Sequence, residues 1–415
     1  MDTLQKTVLL IAHDAMPIPD LYGGAIEFLI TRLLEENEKT GKFRFIVTSS
    51  SPEEAIPDSQ HLYQYSKIFY FKDNCLVGFQ ADRTSHQWNR YCKRIRLINR
   101  LFHNRISKHI FGSAKMMLNY VSFQLLLLAK KEKPDYAVIE LCHNIDGLKP
   151  VITRVGRKHV FYHIHCHLQQ DMKIRSVIPN SIAISEFVKK EWVVDSSIKG
   201  KNQVLYNCAN LPAFQIEYNE SQKEEIRRCL KIDKDEIVVL FCGRLIPQKG
   251  IKQLLDAMEQ LKDQRIKLLL IGSERFAQGN FSDFSKQIAK QAERLENVIN
   301  LGYIPNKELS QYFSISDIQV IPSVWQEGAG IVAIEGMASG VPLIITDSGG
   351  MVEYVNDKCA VKVPISNHLK EDIADRIHEL ANDKELRKMM GLAGKMRAKE
   401  FSSEKYYKEF VRIFD

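Results

Sequence analysis

Short apolar runs rich in β-branched residues alternate with amphipathic helical segments along almost the whole chain, and this rhythm restricts the fold more than any other feature. It is cleanest in the second half, where strands are predicted at Ile237–Cys242, Ile266–Ile271, Val298–Leu301, Ile318–Ile321 and Val341–Ile345. Helices are predicted between them at 249–262, 281–295, 306–314 and 330–339, followed by a long helical C-terminus. The first half shows strand-like runs at 7–12, Phe43–Thr48, Ile68–Phe71, Tyr136–Leu141, His159–His165, Ser181–Ile184 and Gln203–Tyr206, with a helix at 24–38. Runs that are apolar throughout, rather than at every second residue, need cover on both faces, and intervening helices allow the strands to lie parallel. The expected class is therefore α/β, with two doubly wound Rossmann-like domains joined near 207–218 and facing across a cleft. Ligands of such sheets bind at the carboxyl ends of the strands.

A chain of 415 residues is long for one hydrophobic core, which agrees with two domains. The reading divides it into 1–208, 209–398, and a last helix at 399–415 returning to the first domain. No basic stretch followed by a long apolar segment opens the sequence, and Phe123–Ala129 is too short to span a bilayer. The eight cysteines (75, 92, 142, 166, 208, 229, 242, 359) form no CxxC pair and read as reduced thiols of a cytoplasmic protein. Charge is uneven: residues 1–215 carry a net of +9 and residues 216–415 a net of −2. Positions 83–131 hold eleven basic residues and no acid, with Leu97, Ile98, Leu101, Phe102 and Ile106 interleaved at helical spacing. Such a segment docks on an anionic membrane, attracts an anionic substrate, or packs on its own domain with solvated charges.

Glu327-Gly-Ala-Gly-Ile-Val-Ala-Ile-Glu335 sets two carboxylates eight residues apart around a glycine turn. Gly328 and Gly330 let the backbone approach a ligand, and the helix starting at Gly330 and Ile331 offers unpaired N–H groups to an anion. Acids for hydroxyls and a helix end for phosphates together suit a sugar nucleotide. In Gly243-Arg244-Leu-Ile-Pro-Gln-Lys249-Gly250, Arg244 and Lys249 are spaced to converge on one phosphate group. Gly272, after the next strand, and Gly23-Gly24, at the mouth of the first helix, are further places for backbone to meet a ligand. His163, His165 and His167 alternate, and would point one way if their strand continued. Neither Cys142, His143 nor Cys166 completes a metal-ligand spacing, so no metal site is expected. A GxGxxG fingerprint is missing after the first strand, which argues against a dehydrogenase.

These residues resemble the retaining glycosyltransferases of family 4, which have the GT-B fold, and the resemblance runs over nearly the whole chain. Gly23-Gly24 resembles the family's early glycine pair near the donor phosphates, and His165 its histidine near the transferred sugar. Ser185-Glu186 resembles its serine–glutamate helix start, and Tyr206–Phe214 its interdomain segment. Arg244 with Lys249 resembles its phosphate motif, Glu327 with Glu335 its E-x7-E motif, and Leu301–Ile304 the loop whose backbone meets the base. Cys208, Asn210, Ala329 and Gly336 depart from the family's usual residues, so the sugar is not specified.

The resemblance implies transfer of a sugar from a nucleoside-diphosphate sugar to an acceptor hydroxyl with retention, in cell-surface glycan or glycolipid synthesis. Arg244 and Lys249 would meet the leaving diphosphate, Glu335 the ribose, Glu327 the donor sugar, and His165 the sugar from the other domain. No bound cofactor and no metal requirement are expected; the partners are the nucleotide sugar, an anionic or lipid-linked glycan acceptor and an anionic membrane surface on the cytoplasmic side. No nucleic acid is expected. The competing classes are an epimerase on the same fold, which turns over sugar nucleotide without acceptor, and a non-catalytic carbohydrate-binding or coat-associated protein, which turns over none.

Overall fold

The computed structural model describes residues 5–12, 17–20, 24–50, 63–71, 120–140, 145–167, 172–194, 199–262, 264–274 and 282–415. Gly23, Cys142, His143 and 83–119 of the basic segment lie outside the described residues. The chain divides into two compact units. One comprises Met1–His163, Asp171–Ser181 and Asp195–Lys201; the other comprises Ile164–Gln170, Ile182–Val194 and Asn202–Asp415.

The first sheet contains β1 (Lys6–Ile11), β2 (Phe43–Ser50), β3 (Ser66–Phe71), β4 (Tyr136–Glu140), β5 (Val160–Ile164), β6 (Asn180–Ala183) and β7 (Asn202–Val204). Their order is β3-β2-β1-β4-β5-β6-β7. The second contains β8 (Ile237–Cys242), β9 (Ile266–Ile271), β10 (Val298–Gly302), β11 (Ile318–Ile321), β12 (Leu343–Thr346) and β13 (Ala360–Val363), ordered β10-β9-β8-β11-β12-β13. Counted within each sheet, the first six strands follow the same 3-2-1-4-5-6 order, the doubly wound pattern expected from sequence. The paired strands are parallel: Lys6 of β1 stands opposite Phe43 of β2, and Ile237 of β8 opposite Ile266 of β9. The direction of winding reverses between β1 and β4, and again between β8 and β11. Those are the switch points at which a crevice opens beyond the strand ends.

The second sheet shows why β8 is apolar at every position. Val238 and Leu240 of β8 pack into one apolar layer with Leu269, Ile334 and Met337. Val239 and Phe241, the alternate residues, pack into the other with Leu254, Leu255 and Ile373. Each face of β8 is covered by helices, so Val238, Val239, Leu240 and Phe241 are all buried, whereas Asn300 of β10 and Lys362 of β13 stay exposed.

Several predicted boundaries move. Lys249 sits in a 3-10 turn, Pro247–Lys249, and the helix starts only at Ile251. The helical C-terminus is three helices, Leu369–Asn382, Lys384–Ala398 and Ser403–Phe414. Strand β13 was not expected; Lys362 interrupts its apolar run and Pro364 ends it, as suits an edge strand. Among the described residues no helix is long and apolar enough to cross a membrane.

Candidate active site

The loops after β8, β11 and β12 meet at the switch point of the second sheet. After β8 the chain turns through Gly243 and Arg244 into the Pro247–Lys249 turn, closed by Gly250 at φ 65°. A Cβ on Gly250 would lie 1.7 Å from the Pro322 carbonyl oxygen, so only glycine allows this turn against the end of β11. The Val324 N–H donates to the Gln248 carbonyl at 2.9 Å and fastens the two loops. That fastening delivers Lys249 to Glu327: Nζ donates to Oε1 at 2.6 Å. The Ser323 hydroxyl donates to the same oxygen at 2.5 Å. The Glu327 side chain is 9% exposed and that of Lys249 26%, so the pair is shielded on the acid's side and open on the cation's.

The backbone of Glu327 is held as firmly. Its carbonyl accepts from the Gly350 N–H at 2.6 Å, and a Cβ on Gly349 (φ 54°) would lie 2.3 Å from that oxygen. Thr346, the last residue of β12, donates its hydroxyl to the Ser323 carbonyl at 2.7 Å. Glu327 is thus fixed from three strand ends.

The helix Ile331–Ser339 begins three residues after Gly328 with Gly330 at its N-cap and no side chain capping it. The N–H groups of Ile331 and Val332 have no partner among the described residues, while Ala333 and Ile334 already donate to the Gly330 carbonyl. Glu335 lies one turn in. Burial pushes its carboxyl up to about 8. Its carboxyl has no hydrogen-bond partner among the described residues; the half-buried Cys242 thiol is raised by desolvation and further by this carboxylate. Arg244 is exposed, with no ion-pair partner among the described residues. Gly272 owes its glycine to the backbone: at φ 142° a Cβ would lie 1.8 Å from the Gly243 carbonyl oxygen. Ile304 and Ile331 are half-buried against the same apolar layer. Gly24, in the first unit, has φ 107° and precedes the helix Ala25–Thr40.

The strand carries the histidine alternation only as far as His163, because β5 ends at Ile164. His163 is buried within the strand, its Nδ1 2.9 Å from a Glu140 carboxylate oxygen. His165, half-buried, and His167 follow in the loop 165–167. That loop packs on the Glu327 region, since a Cβ on Gly328 would lie 3.3 Å from both Cys166 Cα and His167 N. His167 pairs with Glu191 through Nδ1, and its ring centroid lies 5.8 Å from that of Phe187 and 6.3 Å from that of Trp325. Ser185 caps the helix Glu186–Trp192 and donates its hydroxyl to the Gly328 carbonyl at 2.8 Å. Glu353 accepts from the Glu186 and Phe187 N–H groups at 2.8 and 2.7 Å, which fixes that helix start against the Gly349–Glu353 turn.

Sequence reasoning missed Ser323, Gly349, Gly350 and Glu353. The first three follow strands of the second sheet at the edge where ligands of this fold bind, so reading every strand end, and not only motif residues, finds them. Glu353 carries no such signal.

Residues 222–397 match the family described as glycosyl transferases group 1. An uncharacterized glycosyltransferase of Methanocaldococcus jannaschii is 33% identical over 176 residues, 42% of this chain and 44% of that protein. The lipopolysaccharide 1,2-N-acetylglucosaminetransferase of Salmonella typhimurium is 28% identical over 200 residues, 46% of this chain and 52% of that enzyme. The chain therefore spans about half the length of these curated relatives. Among solved structures, a glycosyltransferase from Rickettsia africae superposes with a TM-score of 0.75 at 17% identity, covering 99% of this chain and 98% of that one. Anabaena HepE in complex with UDP and glucose gives 0.70 at 16% identity, covering 98% of each chain. The chain accordingly has the GT-B architecture of these structures, and over residues 222–397 it is related in sequence to the glycosyl transferases group 1.

Proposed function

We propose that the protein is a retaining glycosyltransferase that moves a sugar from a nucleoside-diphosphate sugar to an acceptor hydroxyl in cell-surface glycan or glycolipid synthesis. The observation that carries this reading is the Lys249–Glu327–Ser323 cluster at the switch point of the second sheet, with exposed Arg244 on the same loop as Lys249. After pairing with Glu327, the Lys249 ammonium keeps two N–H donors for phosphate oxygens. Arg244, Lys249 and the N–H groups at Gly330 and Ile331 would stabilise charge growing on the leaving diphosphate. Glu327 keeps its second oxygen for hydroxyls of the donor sugar. Glu335 would take the ribose hydroxyls, Gly272 and Ile304 would border the nucleotide, and Gly23 and Gly24 would approach the phosphates from the first domain. His165 would hydrogen-bond to the sugar.

Retention through a covalent glycosyl-enzyme would need a carboxylate across the sugar ring. No residue is assigned to that place, and a front-face reaction, with the leaving phosphate helping to deprotonate the acceptor, fits the proposed groups. Fixed positive side chains supply the charge in this scheme, so no metal requirement is expected. The functional division proposed is 1–208 for the acceptor, 209–398 for the donor, and 399–415 as a helix serving the first domain. The basic segment 83–131 would receive an anionic or lipid-linked acceptor at a membrane surface. A lipopolysaccharide N-acetylglucosaminetransferase among the relatives and a UDP complex among the structures support a sugar-nucleotide donor.

The test is a panel of UDP-, GDP-, ADP-, CDP- and TDP-sugars, followed for binding and for slow hydrolysis without acceptor. One donor is expected to bind and hydrolyse. No binding of any at millimolar concentration would overturn the reading.

A further inference from the structure

The helix Lys384–Ala398 presses small residues against the helix that carries Glu335. A Cβ on Gly391 would lie 2.2 Å from the Gly340 carbonyl oxygen, and one on Gly394 3.3 Å from Met337 Cα. Met390 and Ala398 complete this buried face. With the core side satisfied, the opposite side of such a helix is expected to be polar. It is not: Met389, Leu392 and Met396 are 61%, 58% and 71% exposed. Their i, i+3, i+7 spacing sets them in one stripe. A single exposed apolar side chain is ordinary, but three long ones in line form a patch.

The charges beside the stripe have one sign on one flank. Lys384, Lys388, Lys395 and Lys399 are all exposed, and helical geometry gathers them within an arc of about 60° along one edge of it. Arg387 and Arg397 take no part, since their guanidinium groups are bonded to the carbonyls of Leu380, Ala381, Glu353 and Tyr354. Of the nearby acids, Asp383 caps the helix through the Leu386 N–H and Glu400 pairs with Lys405 at 2.8 Å, leaving Glu385 at the stripe's start. We propose that this face docks on an anionic membrane surface, with Met389, Leu392 and Met396 entering the headgroup boundary and the lysine row meeting lipid phosphates. A second copy suits the face poorly, because antiparallel pairing through the stripe would set the two lysine rows side by side. Docking here would hold the Glu335 helix at the membrane, yet it does not depend on the glycosyltransferase reading.

The full chain is spun with vesicles of neutral lipid, and with vesicles about one third anionic, at about 0.1 M and about 1 M salt, where charges are felt over about 10 Å and 3 Å. Two variants accompany it: Met389→Gln with Leu392→Gln and Met396→Gln, and the four lysines changed to Gln. All seven side chains are exposed, so both variants are expected to melt as the parent does. Expected are attachment to anionic vesicles only, release at high salt, and a loss of tenfold or more in each variant, at roughly fivefold per lysine. Unchanged attachment of both variants would transfer the role to another surface, such as 83–131, and overturn the proposal. So would absence of attachment by the parent, or a dimer by light scattering that the apolar variant dissolves. Nucleotide-sugar hydrolysis in solution should be the same in all three proteins, which separates failure here from failure of the functional reading.

Discussion

Glu327 lies in a loop where Lys249 and Ser323 donate to one of its oxygens, whereas Glu335, a turn into the following helix, is half-buried without a hydrogen-bond partner among the described residues. The two acids belong to one short motif, yet the chain treats them in opposite ways. Around Glu327 it built a cation, a hydroxyl and the Gly349–Gly350 backbone. Around Glu335 it built apolar cover, which favours the uncharged carboxyl and pushes it up to about 8. The loop acid is therefore placed before any ligand arrives, while the helix acid is set to respond to one. Hydroxyls of a ribose donating to Glu335 would favour its charged form and supply what burial withholds.

The most damaging change to this contrast is Lys249→Ala, which removes the loop acid's cation. Turnover should fall about 10²-fold or more, roughly 3 kcal/mol. Unaltered kcat/KM in a folded variant would take Lys249 out of the site. A smaller loss, about tenfold in kcat or some 1.4 kcal/mol, is expected from Gly349→Ala, because the new Cβ meets Glu327 backbone atoms at 2.3 and 2.9 Å. Nucleotide affinity should change little in that variant; if affinity and kcat fell together, the clamp would not be specific to Glu327.

The same contrast separates what the sequence displays from what it hides. The strands Ile237–Cys242, Ile266–Ile271 and Ile318–Ile321 were legible to the residue, because strands covered on both faces read as near-continuous apolar runs, broken here only by Lys267 and Gln319. Arg244, Lys249, Glu327 and Glu335 stood out because charge and glycine interrupt that pattern. The hold on Glu327 was not legible, since Ser323 and Gly349 come from different loops and meet only through the parallel register. Gly336 stood out as a departure from the family, and its reason is tertiary: a Cβ there would lie 1.8 Å from the side-chain oxygen of Gln319, buried on β11. The histidine alternation runs on past the strand, which stops at Ile164.

A subtler expectation concerns stability. A carboxyl held near 8 in the folded chain, against an ordinary value of 4.5, binds its proton more tightly folded than unfolded. Its contribution is complete below that ordinary value and is lost as pH rises through about 8, with a slope of up to about 1.4 kcal/mol per pH unit. Thermal melts of Glu335→Gln should lack that part of the decline. An identical pH profile in parent and variant would mean that Glu335 is already charged. The smallest effect is expected from chelation, which should leave activity intact, since Arg244 and Lys249 supply the positive charge. Activity lost to EDTA and restored by zinc would place a metal in the account, with Glu140 and His163 the pair to examine first.

Calorimetric titration of the best free nucleoside diphosphate into the parent, Glu327→Gln and Glu335→Gln, at pH 6.5 and 9, bears most directly on the two roles. The account predicts parent-like affinity for Glu327→Gln at both values. It predicts a loss for Glu335→Gln that is slight at the lower pH, where the parent's carboxyl is itself neutral, and clear at the higher, where a charged acceptor has been replaced by an amide. Equal losses in both variants, or a Glu335→Gln effect that does not grow with pH, would contradict it.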